Sequence, residues 1–130
     1  MSGFRSDPLN GAASGQIAEN AARAYLRGLR REVIESNYRT RFGEIDIIAR
    51  DGETICFVEV RARRGGAMVS PAESVGPAKQ ARLSKAASEW LAGAGADSPC
   101  RFDVIEVELT GRTARIIGII EAAFQPAGEE

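Results

Sequence analysis

The chain has 130 residues, 44% apolar and 27% charged, with a formal net charge of −1, a profile expected of one globular domain able to bury its own core. No run nears the roughly 18 apolar residues of a membrane span, and the first residues, MSGFRSDPLN, carry no apolar signal core. Histidine is absent, and the two cysteines, Cys56 and Cys100, make no ligand spacing, which excludes Ser-His-Asp and Cys-His hydrolases, His-ligated zinc and a disulfide framework. A cytoplasmic setting without a membrane partner is therefore expected.

Residues 1–13, small, polar and Pro/Gly-containing, are expected to form a flexible N-terminal arm. A helix is predicted from about Gly15 to Leu29, capped by Ser14, with Ile17, Ala18, Ala21, Ala22, Tyr25 and Leu29 along its apolar side. Glu32–Tyr38 alternates around Val33 and Ile34 as a first strand, and Gly43–Arg50 alternates as a second. Asp51-Gly52 is a strong type I′ hairpin signal, leading into a return strand from Glu53 to Ala62. Arg63–Pro71 reads as a Gly-containing loop, and Pro77 suits the first turn of a second helix ending near Leu91. Arg101–Leu109 and Thr113–Ile120 form a second strand pair around Thr110-Gly111-Arg112, and 122–130 are expected to be a frayed acidic tail. The order α-β-β-β-α-β-β makes 14–121 a single α/β domain, because a helix joining two strand groups must cross a sheet face. The expected architecture is a mixed β-sheet flanked by helices.

A turn centred on Asp51-Gly52 pairs Arg50 with Glu53, Asp46 with Phe57 and Glu44 with Glu59. Glu44, Asp46, Phe57, Glu59 and Arg61 then share one face, while Ile45, Ile47, Val58 and Val60 face the core. Asp46 and Glu59 become diagonal neighbours with Cα atoms roughly 7–8 Å apart, a separation at which two carboxylates can converge on one cation. A hard divalent ion relieves the repulsion among such acids, and it can promote phosphodiester hydrolysis without histidine. A solvated sheet face, with Glu44 and Glu59 partly neutralised by Arg61 and Arg41, accounts for the same pattern. Cys56 shares the parity of Val58 and reads as a buried small hydrophobe. Tyr25, Phe57, Trp90 and Phe102 are spaced as core residues, whereas Tyr38 and Phe42 lie near the acids and stay open between core and base stacking.

Asp46, followed after an interval by Glu59-Val60-Arg61, resembles the PD-(D/E)xK signature of the restriction-endonuclease-like superfamily. The chain is further similar to a bacterial family of predicted endonucleases that distantly resembles archaeal Holliday-junction resolvases. The matching pieces are Gly15-x-x-Ala18-Glu19-x-x-Ala22-x-x-Tyr25-Leu26, Asn37-Tyr38-Arg39, Gly43-Glu44-Ile45-Asp46 and Phe57-Val58-Glu59-Val60-Arg61-x-Arg63. They continue through Glu73-Ser74-Val75, Lys79 and Arg101-Phe102-Asp103-Val104. The resemblance implies a restriction-endonuclease-like fold and a Mg²⁺ or Mn²⁺ cofactor. By position it implies Glu19, Asp46 and Glu59 as metal ligands, with the Val60 carbonyl adding a further oxygen. Ala18 stands where the family usually has Gly, and Arg61 stands where the superfamily usually has Lys. An arginine cannot act as a general base, so the implied role of Arg61 is to steady the scissile phosphate.

Nucleic acid needs positive surface beside such acids. Arg23, Arg27, Arg30, Arg31, Arg39 and Arg41 crowd one stretch against Glu32 and Glu35. Arg61, Arg63 and Arg64 follow the acids, and Lys79, Arg82 and Lys85 recur on one helix face. Arg39, Arg41, Arg63, Arg64, Lys79, Arg82 and Lys85 are the expected nucleic-acid contacts, to DNA before RNA. For the last three taken alone, an ordinary solvated helix face is the simpler reading. Related resolvases work as dimers, which leaves a homodimer open, although no segment reads as a dimer seam. A catalytically weak nucleic-acid-binding module of the same fold is the alternative to a nuclease, and a scaffold without nucleic acid is a third reading.

Overall fold

The computed structural model describes residues 11–64 and 75–125. The start of the expected N-terminal arm, the glycine pair Gly65-Gly66, the Glu73-Ser74 piece and the end of the tail lie outside the described residues. In chain order the elements are α1 (Gly11–Gly28), β1 (Glu32–Arg39), β2 (Glu44–Asp51), β3 (Thr54–Arg64), α2 (Pro77–Ala94), β4 (Cys100–Thr110) and β5 (Thr113–Phe124). The predicted order α-β-β-β-α-β-β is the observed one. The strands form one mixed sheet in the order β1-β2-β3-β4-β5, with β3 parallel to β4 and every other pair antiparallel. Strand β3 must therefore cross to β4 through α2, as parallel pairing requires.

The helices cover opposite faces. Helix α1 lays Ala18, Ala22 and Leu26 on Ile47, Ala49, Cys56, Val58, Ile105 and Val107, all buried. Small residues at Ala18 and Ala22 let its backbone approach the sheet closely. Leu26 is fully buried while Leu29 is 42% exposed, so the apolar stripe ends one turn earlier than the sequence suggests. Helix α2 packs Leu83, Ala86 and Ala87 on Ile45, Ile48, Phe57, Phe102 and Val104. Phe57 meets Trp90 edge-on at 6.0 Å, and Phe102 stacks on Phe124 at 4.6 Å. Burial of these aromatics is the main apolar contribution on that side.

Three expectations shift. Helix α1 begins at Gly11, so Ser14 stands inside its first turn rather than at its cap. Strand β5 continues through Phe124, into what reads as tail, because Phe124 pairs with and stacks on Phe102. The β2–β3 turn is centred on Gly52-Glu53, not Asp51-Gly52, with Asp51 paired to Thr54. Gly52 takes a φ of +62° at the first central position, which suits a type II′ turn. Asp51 stays in the strand, where its carboxylate accepts a hydrogen bond from Arg101 at 3.1 Å.

Candidate metal and nucleic-acid site

That turn moves the β2–β3 register by two residues. Ile48 now opposes Phe57, Ile47 opposes Val58, and the next pair in the same count is Asp46 with Glu59. The ladder stops at Ile47–Val58, and the Val60 N–H donates instead to Asp46 Oδ2 at 2.8 Å. Strict alternation also breaks between Asp46 and Ile47: Ile45 and Ile48 pack with α2, whereas Ile47 and Ala49 pack with α1. The shared acidic face expected from the sequence is therefore split. Glu44 and Asp46 turn to Glu19 of α1, whereas Glu59 turns to Lys79 of α2.

Oxygens of Glu19, Glu44 and Asp46 lie within 4.8 Å of one another. Asn37 holds two of these acids in place, its Nδ2 donating to Glu19 Oε1 at 2.9 Å and to Glu44 Oε2 at 2.8 Å. Asn37 sits opposite Asp46 in the β1–β2 register, with a φ of +55° that asparagine tolerates better than most residues. Arg39 reaches this group from solvent, its Nε 3.6 Å from Glu44 Oε1 and its side chain 78% exposed. Burial, then the charges of Glu59, Glu19 and Glu44, push the Asp46 carboxyl up from 3.8 to about 8, against the Val60 hydrogen bond that favours its ionised form. A half-buried acid crowded by acids is the environment a bound cation relieves. The donors are all hard oxygens, which fits Mg²⁺ or Mn²⁺ and not a thiolate-seeking metal.

Glu59 is buried and carries two cations: Lys79 Nζ at 2.5 Å and Arg61 Nη1 at 3.4 Å. Lys79 thus belongs to the site itself and not to an outlying helix stripe. Val60 contributes its amide N–H in this structure, the polar contact it makes with Asp46. Arg63 turns to Glu106, its Nε 2.8 Å from Oε2, and the two lock β3 to β4. Arg64 is exposed, as are Arg41, Arg82 and Lys85. Arg41 and Lys85 both stand over the Phe42 ring, at 5.0 and 5.5 Å from its centroid. Cys56 is buried and its thiol is pushed up to about 11, first by burial and then by the Asp103 charge, so it is no nucleophile.

Two site residues carry weight that the sequence reading did not give them. Glu44 has a visible signal, because an acid two positions before Asp46 must share its strand face. Asn37 has none that periodicity reveals, since its role depends on the β1–β2 register.

The result is a two-helix, five-stranded mixed α/β domain with a carboxylate cluster where β1, β2 and α1 meet. The profile of "Uncharacterised protein family UPF0102" matches residues 18–107, a span that includes every acid of this cluster as well as Glu59 and Lys79. The chain is 43% identical over 122 residues to a UPF0102 protein of Geotalea uraniireducens, covering 93% of this chain and 96% of that one. It is 47% identical over 115 residues to a UPF0102 protein of Syntrophus aciditrophicus, covering 88% and 90%. The chain belongs to the UPF0102 family.

Proposed function

We propose that the chain is a metal-dependent nuclease of the restriction-endonuclease-like type, hydrolysing phosphodiester bonds in nucleic acid, DNA before RNA. The observation that carries this reading is Asp46, a half-buried carboxyl pressed by Glu59, Glu19 and Glu44, which accepts from the Val60 N–H while Asn37 ties Glu19 to Glu44. Its resemblance to the PD-(D/E)xK arrangement of Asp46 and Glu59-Val60-Arg61 supports the same reading. Glu19, Glu44 and Asp46 would hold Mg²⁺ or Mn²⁺, which when bound would supply Lewis acidity toward a phosphoryl oxygen.

The chain's own residues do the rest. Asn37 fixes the orientation of Glu19 and Glu44, as partners behind a metal ligand commonly do. Lys79 and Arg61 put two positive charges beside Glu59, where they offset the charge of an approaching phosphodiester. Arg39, Arg41, Arg82 and Lys85 give the backbone an exposed positive approach. Arg61 cannot surrender its proton, so it serves as a charge clamp.

The test is a cleavage panel: single-stranded, duplex, flapped and four-way-junction DNA and structured RNA, each with Mg²⁺, Mn²⁺ or EDTA. Cleavage that requires metal and disappears in Asp46→Ala supports the nuclease. Salt-sensitive binding without cleavage by the wild-type chain would replace it with the binding module. The double occupancy of the Glu59 carboxylate by Lys79 and Arg61 is the observation favouring that second reading. A large gain of cleavage in Arg61→Lys would mark the native site as impaired.

A further inference from the structure

Phe42 belongs to neither core cluster, although the chain has only five phenylalanines with which to build a core. It stands in the β1–β2 turn, and that turn is tightly tied. Thr40 N donates to the Gly43 carbonyl at 2.9 Å, and Thr40 Oγ1 accepts from the Phe42 N–H at 2.9 Å and the Gly43 N–H at 3.2 Å. Gly43 takes a φ of +154°, a conformation that favours glycine, and a Cβ there would meet Arg82 Cβ at 3.9 Å. The turn lies against α2, whose Lys85 stands over the half-buried Phe42 ring, as does Arg41 of the turn itself. Two residues further on, Glu44 enters the acid cluster.

We infer that Phe42 is a stacking platform for an unpaired base, so that the chain prefers DNA with a single-stranded or branched segment over continuous duplex. The inference rests on the nucleic-acid reading of the adjacent site and names its substrate shape. An aromatic face binds any base through its π-surface, and cations at about 5 Å from the ring suit the phosphates that flank a stacked base. Bases inside a duplex are already stacked on their neighbours and gain little from such a ring. Bases at a fork, flap or junction do not have both neighbours, so they gain most.

The test is fluorescence anisotropy with the full chain in Ca²⁺, comparing forked, single-stranded and duplex oligonucleotides across a salt series. Phe42→Ala is expected to weaken fork and single-strand binding by about tenfold or more while leaving duplex binding and the salt slope unchanged. Phe42→Trp is expected to retain the preference, and Lys85→Ala to lower the salt slope instead. An unchanged melting temperature of Phe42→Ala separates the effect from misfolding. Equal loss on fork and duplex, no loss on either, or no DNA binding by the wild-type chain would each overturn the inference. A chain that cleaves DNA through Asp46 but ignores Phe42 would refute the platform and keep the nuclease. Phe42-dependent binding without cleavage would do the reverse.

Discussion

The two ends of β2 carry carboxylates in opposite electrostatic settings. At its C-terminal end Asp51 joins Arg31, Arg101, Asp103 and Glu121 in a network where every acid faces an arginine. Asp103 is fully buried, and its oxygens accept from Arg101 Nε at 3.0 and 3.1 Å and from the Ala122 N–H at 2.9 Å. Nearer the N-terminal end, Asp46 has acids for neighbours and the neutral Val60 N–H as its partner. The first cluster sets two guanidiniums among three carboxylates, so that each acid has a cation, and ties strands together. The second is left with unbalanced negative charge, which the proposed divalent cation would offset.

Breaking each cluster should produce opposite outcomes. The largest effect is expected from Asp46→Ala, which should lower metal-dependent cleavage by about a thousandfold or more without unfolding the chain, checked by cleavage rates beside a thermal melt. Arg101→Ala should do the reverse, costing roughly 3 kcal/mol of stability by leaving Asp103 buried without its cation. Urea denaturation reads that loss, and Mg²⁺ affinity of the folded fraction should not change. Asn37→Ala releases Glu19 and Glu44 and should weaken metal binding by about 10–100-fold, measured by Mn²⁺ titration.

A smaller effect sharpens the contrast without metal. Because the Asp46 carboxyl is raised from 3.8 to about 8 in the fold, its protonated form is the favoured one. The stability it contributes is fully present below its unfolded value and is lost as pH rises through about 8. In EDTA, Asp46→Asn should therefore melt higher than the wild-type chain at roughly pH 9, by about 1–2 kcal/mol in stability, with the difference shrinking toward roughly pH 5. A variant less stable than wild type at alkaline pH would mean that Asp46 is not strained by its neighbours.

Element order was readable because its signals are local: alternation in β2 and β3, Pro77 at the start of α2, glycine turns at Gly52 and Gly111. The acids Asp46, Glu59 and Glu19 were also legible from spacing and resemblance. What escaped was register. A turn displaced by one residue pairs Asp51 with Thr54 and sets Ile48, not Asp46, opposite Phe57. Asn37 and Lys79 stood in the matching pieces, but their contacts escaped, since their partners, Glu19 with Glu44 and Glu59, lie on other elements. Most of these contacts join residues distant in the chain, and no short window of sequence contains them.

The central claim is that the carboxylates of Glu19, Glu44 and Asp46 form a divalent-cation site. Isothermal titration of Mn²⁺ into the full chain and into Asp46→Asn at neutral pH tests it directly. The account predicts saturable binding to the wild-type chain with proton release, weakened at least about a hundredfold in the variant. Identical isotherms for the two proteins, or no binding to the wild-type chain, would contradict it.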